Sequence, residues 1–431
     1  MAINGLLVLE FAGTGFTPLL WHVSFFYLCA EAMDIFRTEP RTLLQLLRRL
    51  HDEPLDYATT LVEQFGPRGA TSLGEAQAAA YFDGRLRRAG LKVSADAFVA
   101  PVWHGWDGTV LAVLLLASAL LYRWQPFAAL LFMLLGVVFA GVRLWRAGRP
   151  LLTEWRPSQN IIATRALAQK PTKRVVVLAP IDSPLQMPRW VRLIHDDNRS
   201  LVGSLIATLA LLGLALIAIA TSGLGPRYLL WLGQFVPVAW LLVAAGLDLW
   251  LRRAPATPGA MNHAGALAVL LACAETLTTA QQIELWVVAV GATRWGSGLS
   301  DLLRRYPFEQ GRTVFIALEG LGSGPLAYLT RTGLVLQHVA DADLLAQAAA
   351  VDADDTLIDA EPRPYRQSLT TVGLLRQRGW RAIGIVCLGA DGQIPFRGSV
   401  ADLPAALDAD VLQRAVRFVV GLVRRIDADA A

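Results

Sequence analysis

Charge is scarce in this chain. Only 17% of its 431 residues are Asp, Glu, Lys or Arg, and 54% are hydrophobic; an average soluble domain carries about 25% charged residues, so the deficit argues against an ordinary soluble enzyme. Cysteine is scarcer. Cys29, Cys273 and Cys387 stand far apart in apolar surroundings, which excludes a disulfide scaffold or a thiolate metal site and reads as reduced packing thiols. No Gly-x-Ser-x-Gly, Walker-type or His-Glu-x-x-His pattern occurs, so the usual nucleophile elbow, phosphate cradle and one-zinc helix are missing. The 39 Lys and Arg barely outnumber the 35 Asp and Glu. They gather beside apolar runs rather than along a stripe, which argues against nucleic acid as a partner.

What the sequence has in abundance is long apolar runs. Residues 104–122, 126–145, 201–221 and 228–251 each have the length and purity of a membrane-crossing helix, about 30 Å at ~1.5 Å per residue. They form two antiparallel hairpins, the first turned by Arg123, Trp124 and Gln125 and the second by residues 222–227. Arg143, Arg146, Arg149, Arg189, Arg192, Arg199, Arg252 and Arg253 flank them on the side of the polar sequence, against Arg123 and Arg227 on the other. By the positive-inside bias the polar domain lies in the cytoplasm, at a bacterial inner membrane. Trp103, Trp106, Trp124, Trp145, Trp231 and Trp250 near the segment ends fit an interfacial belt.

The apolar stretch 3–31 contains Glu10, Pro18 and His22 and lacks a basic region before it, the first arginine being Arg37. It reads as a fifth crossing or an interfacial helix rather than a cleaved signal peptide. His22 reads as a hydrogen-bonded histidine between helices in preference to an axial ligand of a haem or chlorin. The expected organisation is an N-terminal apolar segment (1–36), a peptidase-like domain in three parts (37–103, 147–199 and 254–431), and inserted transmembrane hairpins at 104–146 and 200–253.

The polar sequence alternates by period. Residues 40–90 are helical by apolar spacing, with Gly90 as a stop, and LKVSADAFVA then alternates like a strand. SQNIIATRAL, RVVVLAPIDS, IELWVVAVG, GRTVFIALEG and WRAIGIVCLG are short β-branched runs, with helical stretches at 263–279, 298–306, 340–350 and 410–426. This order predicts an α/β fold, a mostly parallel mixed sheet with helices on both faces. Sites on such sheets form at the carboxyl edge.

The loops at that edge resemble the co-catalytic zinc aminopeptidases, family twenty-eight of the metallopeptidases, which also includes glutaminyl cyclases, glutamate carboxypeptidase and the transferrin-receptor ectodomain. Gly66–Phe98, with its Pro67-Arg68 and Thr71-Ser72 turn, is similar to the family's entry pattern, and Ser158–Ala163 to its Asn-Val-Ile-Ala strand. The resemblance covers most of residues 55–425 outside the hairpins. It implies two zinc ions held by two histidines, two aspartates and a glutamate, with a second glutamate as general base. Here the matching positions are altered. The first histidine position is Pro180, followed by Asp182, which in the family orients that histidine. The bridging aspartate is Asn262. The Glu-Glu pair, base and ligand, is Thr293-Arg294. Glu319 stands for an aspartate, and the last histidine aligns with Arg397, ahead of Asp402. One ligand position of five keeps a carboxylate, and a guanidinium where zinc would sit repels it. No bound metal or cofactor is therefore expected.

Other constellations are weaker. His263 beside Asn262 reads as a helix-opening residue, His195-Asp196-Asp197 as a solvated juxtamembrane run, and Gly320–Gly324 as a loop without the lysine of a phosphate site. In the cleft, Arg294 and Arg397 are expected to face Glu319 and Asp182 as ion pairs. The expectation is an inactive, membrane-inserted pseudopeptidase, an accessory or scaffold subunit contacting lipid and other membrane proteins. Two alternatives remain open: a pseudoenzyme binding a peptide or carboxylate in the cleft, and a residual hydrolase using Glu319 and His263 with one metal.

Overall fold

The computed structural model describes residues 54–430 apart from 103–104, 123, 146–148, 167–170, 196–198, 221–226, 281, 334–335 and 368–369. The expected N-terminal segment with His22 and Cys29, the helical pattern before residue 54, and Asp196 and Asp197 lie outside these residues.

The chain enters through helix α1 (54–65) and α2 (Leu73–Arg88). The start of α2 is built by a reciprocal cap: Ser72 accepts from Glu75 N, and Glu75 reaches back to accept from Thr71 N at 2.5 Å. Strand β1 (Lys92–Pro101) leads into helices α3 (Asp107–Leu121) and α4 (Pro126–Trp145), after which β2 (Trp155–Ala166) returns antiparallel to β1. Then follow β3 (Lys173–Pro180), the short α5 (Arg189–His195), α6 (Arg199–Ala220), α7 (Arg227–Gly233) and α8 (Phe235–Leu251). A π-turn (Ala260–Ala264) opens α9 (Gly265–Thr276), and β4 (Ile283–Val290), α10 (Ser297–Arg305) and β5 (Thr313–Leu318) continue the domain. It closes with β6 (Leu326–Thr332), β7 (His338–Val339), α11 (Ala342–Asp354), β8 (Ala360–Tyr365), α12 (Thr371–Gln377), β9 (Arg381–Cys387) and α13 (Ala409–Ala428).

The strands form one sheet in the order β1-β2-β4-β3-β5-β9-β6-β7, with β8 beside β6. Its centre, β4-β3-β5-β9, is parallel, and β1-β2, β2-β4, β9-β6 and β6-β7 are antiparallel. The sheet is thus parallel through its centre and again where β8 joins β6, and antiparallel elsewhere, less uniformly parallel than the strand-helix alternation predicts. The sequence reading did not anticipate β6, β7 and β8. Strand β8 carries Pro362 and Pro364, which lack the N–H a central strand needs and restrict it to one-sided pairing. Helices α2, α9, α11 and α13 pack on one face, and α10 and α12 on the other. Fully buried β-branched runs such as Val175–Val177 and Val287–Val288 form the core between them.

Helices α3, α4, α6 and α8 pack into a separate bundle around Leu111, Leu115, Met133, Leu211, Val238 and Leu241. Glycine at 136 lets Leu115 come close, since a Cβ there would lie 2.7 Å from Leu115 Cδ2, and Gly203 lies under the Trp240 ring. A Cβ at Gly213 or Gly246 would meet nothing within 4 Å, so of these four glycines Gly136 and Gly203 serve the close packing of the bundle. The break between α7 and α8 follows from Pro237, whose ring would collide with the carbonyl of Gly233 four residues earlier. The two hairpins expected from sequence exist as helix pairs. Among the described residues, however, only Tyr228–Leu251, at 24 residues, is long and apolar enough to cross a membrane. Asp107–Leu121, Phe127–Arg143 and Val202–Ile217 are shorter apolar stretches, the last two lying within α4 and α6.

Both helix pairs leave the domain through closed necks. The second emerges after Asp182 and returns before the π-turn, and its stems are tied by Thr257 N to Pro184 O (2.7 Å) and Gln186 N to Pro255 O (2.9 Å). At the first, the Asp107 carboxylate accepts from Leu151 N and Leu152 N at 2.9–3.1 Å.

Candidate functional site

The parallel central strands end at one edge, and eight of the positions singled out from the sequence come to it. Pro180 and Asp182 follow β3, Thr293 and Arg294 follow β4, and Glu319 follows β5. Asn262 and His263 sit on the π-turn, and Arg397 on the loop after β9. All eight line a single cavity of about 110 Å³. The other wall comes from the helical bundle, including Arg143 of α4, Ser204 of α6 and Asp248 of α8.

The edge is held by a fully buried arginine. Arg68 donates to the carbonyls of Ile181 (3.2 Å), Leu61 (3.3 Å), Gly66 (3.1 Å) and Gly259 (3.1 Å). Burial lowers its pKa to about 10, opposed by the charges of Asp402 and Asp182. Its guanidinium joins the segment after β3 to Gly259, which enters the π-turn at φ 68°. Glu75 makes a second tie, accepting from Ala292 N (2.8 Å) and Ser158 Oγ (3.0 Å) as well as Thr71. Its carboxylate fixes the turn in which Ala292 adopts φ 45°, a conformation that disfavours an L side chain. Desolvation and the nearby Asp182 carboxyl push the Glu75 pKa upward.

Asp182 accepts from Thr293 N at 3.1 Å and from Thr293 Oγ1 at 2.8 Å. Burial raises its pKa, countered by the Thr293 bonds and the charge of Arg68. Its backbone carbonyl receives His263 Nδ1, which fixes that nitrogen as the N–H, since a carbonyl only accepts. Burial pulls the imidazole pKa down to about 3, with the charges of Arg68 and Arg397 acting the same way, so His263 is neutral. Asn262 is a donor here. Its Nδ2 gives a 2.5 Å hydrogen bond to Asp402, whose carboxylate also accepts from Met261 N at 2.6 Å. Glu319 Oε1 accepts from Thr371 N at 2.6 Å. Burial pushes its pKa up while Thr371 and the Arg397 charge hold it down. Arg397 reaches Tyr365 Oη at 3.4 Å, and its carbonyl receives Arg192. The Arg294 guanidinium lies 5.4 Å from the Trp295 ring and, with Arg143, acts electrostatically on Asp248. The expected pairing of two arginines with Glu319 and Asp182 is thus distributed differently. Thr293 and Arg68 act on Asp182, Arg397 on Glu319, and Arg294 reaches across to the bundle.

A dinuclear zinc centre does not fit these side chains. Among the described residues no group of three or more His, Cys, Asp or Glu is placed to hold a metal ion. Asn262 presents N–H where a bridging anion would be needed. Gly320–Gly324 is structural: Gly320 (φ 57°) packs against Ile394, and the Gly322 carbonyl accepts from Asp408 N. The side chain of His195 is not described. Cys273 and Cys387 are buried, and burial raises both thiol pKa values, that of Cys387 to about 11.

Sequence reasoning placed none of Arg68, Glu75, Asp107, Arg143 and Asp248 in the site. The signal for the last three was present, since ionisable residues inside or next to long apolar runs seldom occur without a partner.

No protein-family model matches the chain, and no curated protein matches it in sequence. Solved structures do match in fold. A zinc aminopeptidase from Bacillus subtilis superposes with TM-score 0.53 at 13% identity, covering 86% of this chain and 94% of its own. An aminopeptidase from Aneurinibacillus sp. strain AM-1 gives 0.52 at 13%, covering 86% and 93%. A glutaminyl cyclase from Bacteroides thetaiotaomicron, bound to N-acetylhistamine, gives 0.51 at 14%, covering 87% and 97%. The fold is that of the zinc aminopeptidases and glutaminyl cyclases.

Proposed function

We propose that this protein is a membrane-embedded pseudopeptidase, an accessory or scaffold subunit of a membrane-protein complex, with its peptidase-like domain at the cytoplasmic face of the inner membrane. The observation that carries the reading is the cleft itself. At the strand ends where the fold would place donors for two cations stand a proline, an amide donor and two guanidinium groups. Cations brought into contact in a partly dry cleft repel strongly, and an arginine remains charged at any physiological pH.

Membrane embedding is supported by the outward faces of the bundle. Phe127 is 87% exposed, Val236 76%, Val138 63% and Ile206 62%. Large apolar side chains exposed in this number on a water-soluble bundle would favour association, whereas lipid covers them without loss. The bundle also walls off the cleft, so a soluble peptide has poor access to it, while neighbouring membrane proteins meet a firmly attached platform.

The test is purification of the full chain in mild detergent. The reading expects no hydrolysis of aminoacyl substrates, no cyclisation of N-terminal glutamine, and an integral membrane protein co-eluting in fixed ratio. Turnover abolished by Glu319→Gln, or a monomer without companions, would overturn it.

A further inference from the structure

The cavity has walls of two origins. The sheet edge supplies Asp182, Glu319 and Arg397, and the ends of the bundle helices supply Arg143, Ser204 and Asp248, with Ala244 and Leu241 one and two turns earlier in α8. If the bundle sits in a bilayer, a cavity at its polar end opens at the depth of lipid headgroups. Its charges are of both signs, with the guanidinium groups of Arg143, Arg294 and Arg397 interleaved with carboxylates. Such a lining matches a zwitterion better than a simple anion or cation, because either of those would leave one set of charges opposed. Arg143 Nε is buried and makes no hydrogen bond within the protein, an N–H still owed an acceptor. A guanidinium fork also suits phosphate oxygens.

We propose that this cavity binds the headgroup of an amine-bearing phospholipid, with phosphate at Arg143 and a primary ammonium toward Glu319 and Asp182. The proposal rests on the membrane-embedded reading. It makes the former cleft a lipid site that fastens the soluble domain to the bilayer surface.

The experiment uses the full chain, stripped of lipid in detergent and offered phosphatidylethanolamine, phosphatidylcholine or phosphatidylglycerol at equal mole fraction, with bound lipid read by native mass spectrometry. Phosphatidylethanolamine is expected to be retained about tenfold over phosphatidylcholine, whose trimethylated nitrogen has no N–H to donate, and over phosphatidylglycerol, which has no ammonium. Arg143→Gln should weaken retention about tenfold. The headgroup series on the unaltered chain carries the test even if that variant folds poorly. Equal retention of the three lipids overturns the proposal. Soluble phosphoethanolamine binding as tightly as the lipid overturns the lipid source. A chain that stays soluble without detergent removes the membrane reading itself, whereas a membrane-integrated chain indifferent to headgroup removes only this site.

Discussion

Replacing Arg68 by methionine keeps most of the side-chain volume and removes every donor. Four carbonyls, of Ile181, Leu61, Gly66 and Gly259, then lose a charge-assisted partner in an interior where Arg68 itself has no exposed surface. An abandoned buried acceptor costs about 1–3 kcal/mol. The four are not additive, because they relax together and a carbonyl can share another donor, and removal of the buried charge returns its own desolvation. We therefore expect a net loss of about 4 kcal/mol, at the upper end for a point substitution. At about 2 °C per kcal/mol for a domain of this size, the midpoint of thermal unfolding should fall by about 8 °C. Arg68→Lys keeps the charge but reaches fewer carbonyls and should fall in between. The assay is tryptophan fluorescence on the full chain in detergent. Local loosening should also appear as faster amide exchange in the π-turn, since the Gly259 tie holds it. A midpoint within about 2 °C of the parent for Arg68→Met, with unchanged exchange at residues 259–264, would refute the assignment of this arginine as the clasp of the sheet edge.

Burial raises the pKa of both Glu75 and Asp182, so the folded state holds protons more tightly than the unfolded chain. Their contribution to stability is complete below the ordinary carboxylate range and declines as pH rises through the raised folded values. Unfolding midpoints measured from acid to mildly alkaline pH should fall, and Glu75→Gln should flatten that fall. A Cβ on Gly265 would stand 2.0 Å from the Leu321 carbonyl oxygen. Backbone cannot easily yield there, so Gly265→Ala should destabilise by about 2 kcal/mol or more in denaturant titration. Leu135 lies on the outer face of α4, 48% exposed. An arginine there would cost about 2.5–3.5 kcal/mol at mid-bilayer depth, so Leu135→Arg should shift the chain from the carbonate-resistant membrane fraction toward the soluble or aggregated one, whereas a water-facing bundle would tolerate it.

The central strands were legible because each is an unbroken β-branched run buried on both faces, as in Val175–Val177. The convergence of Pro180, Asn262, Thr293, Arg294, Glu319 and Arg397 was legible for a related reason: parallel strands deliver their following loops to one edge. Strands β7 and β8 were not, since a two-residue ladder and a strand with two prolines carry little periodicity. The partners within the cleft were not legible either. That Asp182 takes both donors of Thr293, and that Arg294 acts on Asp248 of the bundle, depends on how an inserted helix pair docks, and no local pattern records docking.

The most direct measurement is zinc stoichiometry on the full chain, purified without chelator, incubated with zinc and passed through a desalting column before elemental analysis. Guanidinium groups and an amide donor in place of ligands predict far less than one zinc per chain, unchanged by Glu319→Gln. Two zinc ions per chain, lost in that variant, would contradict the account.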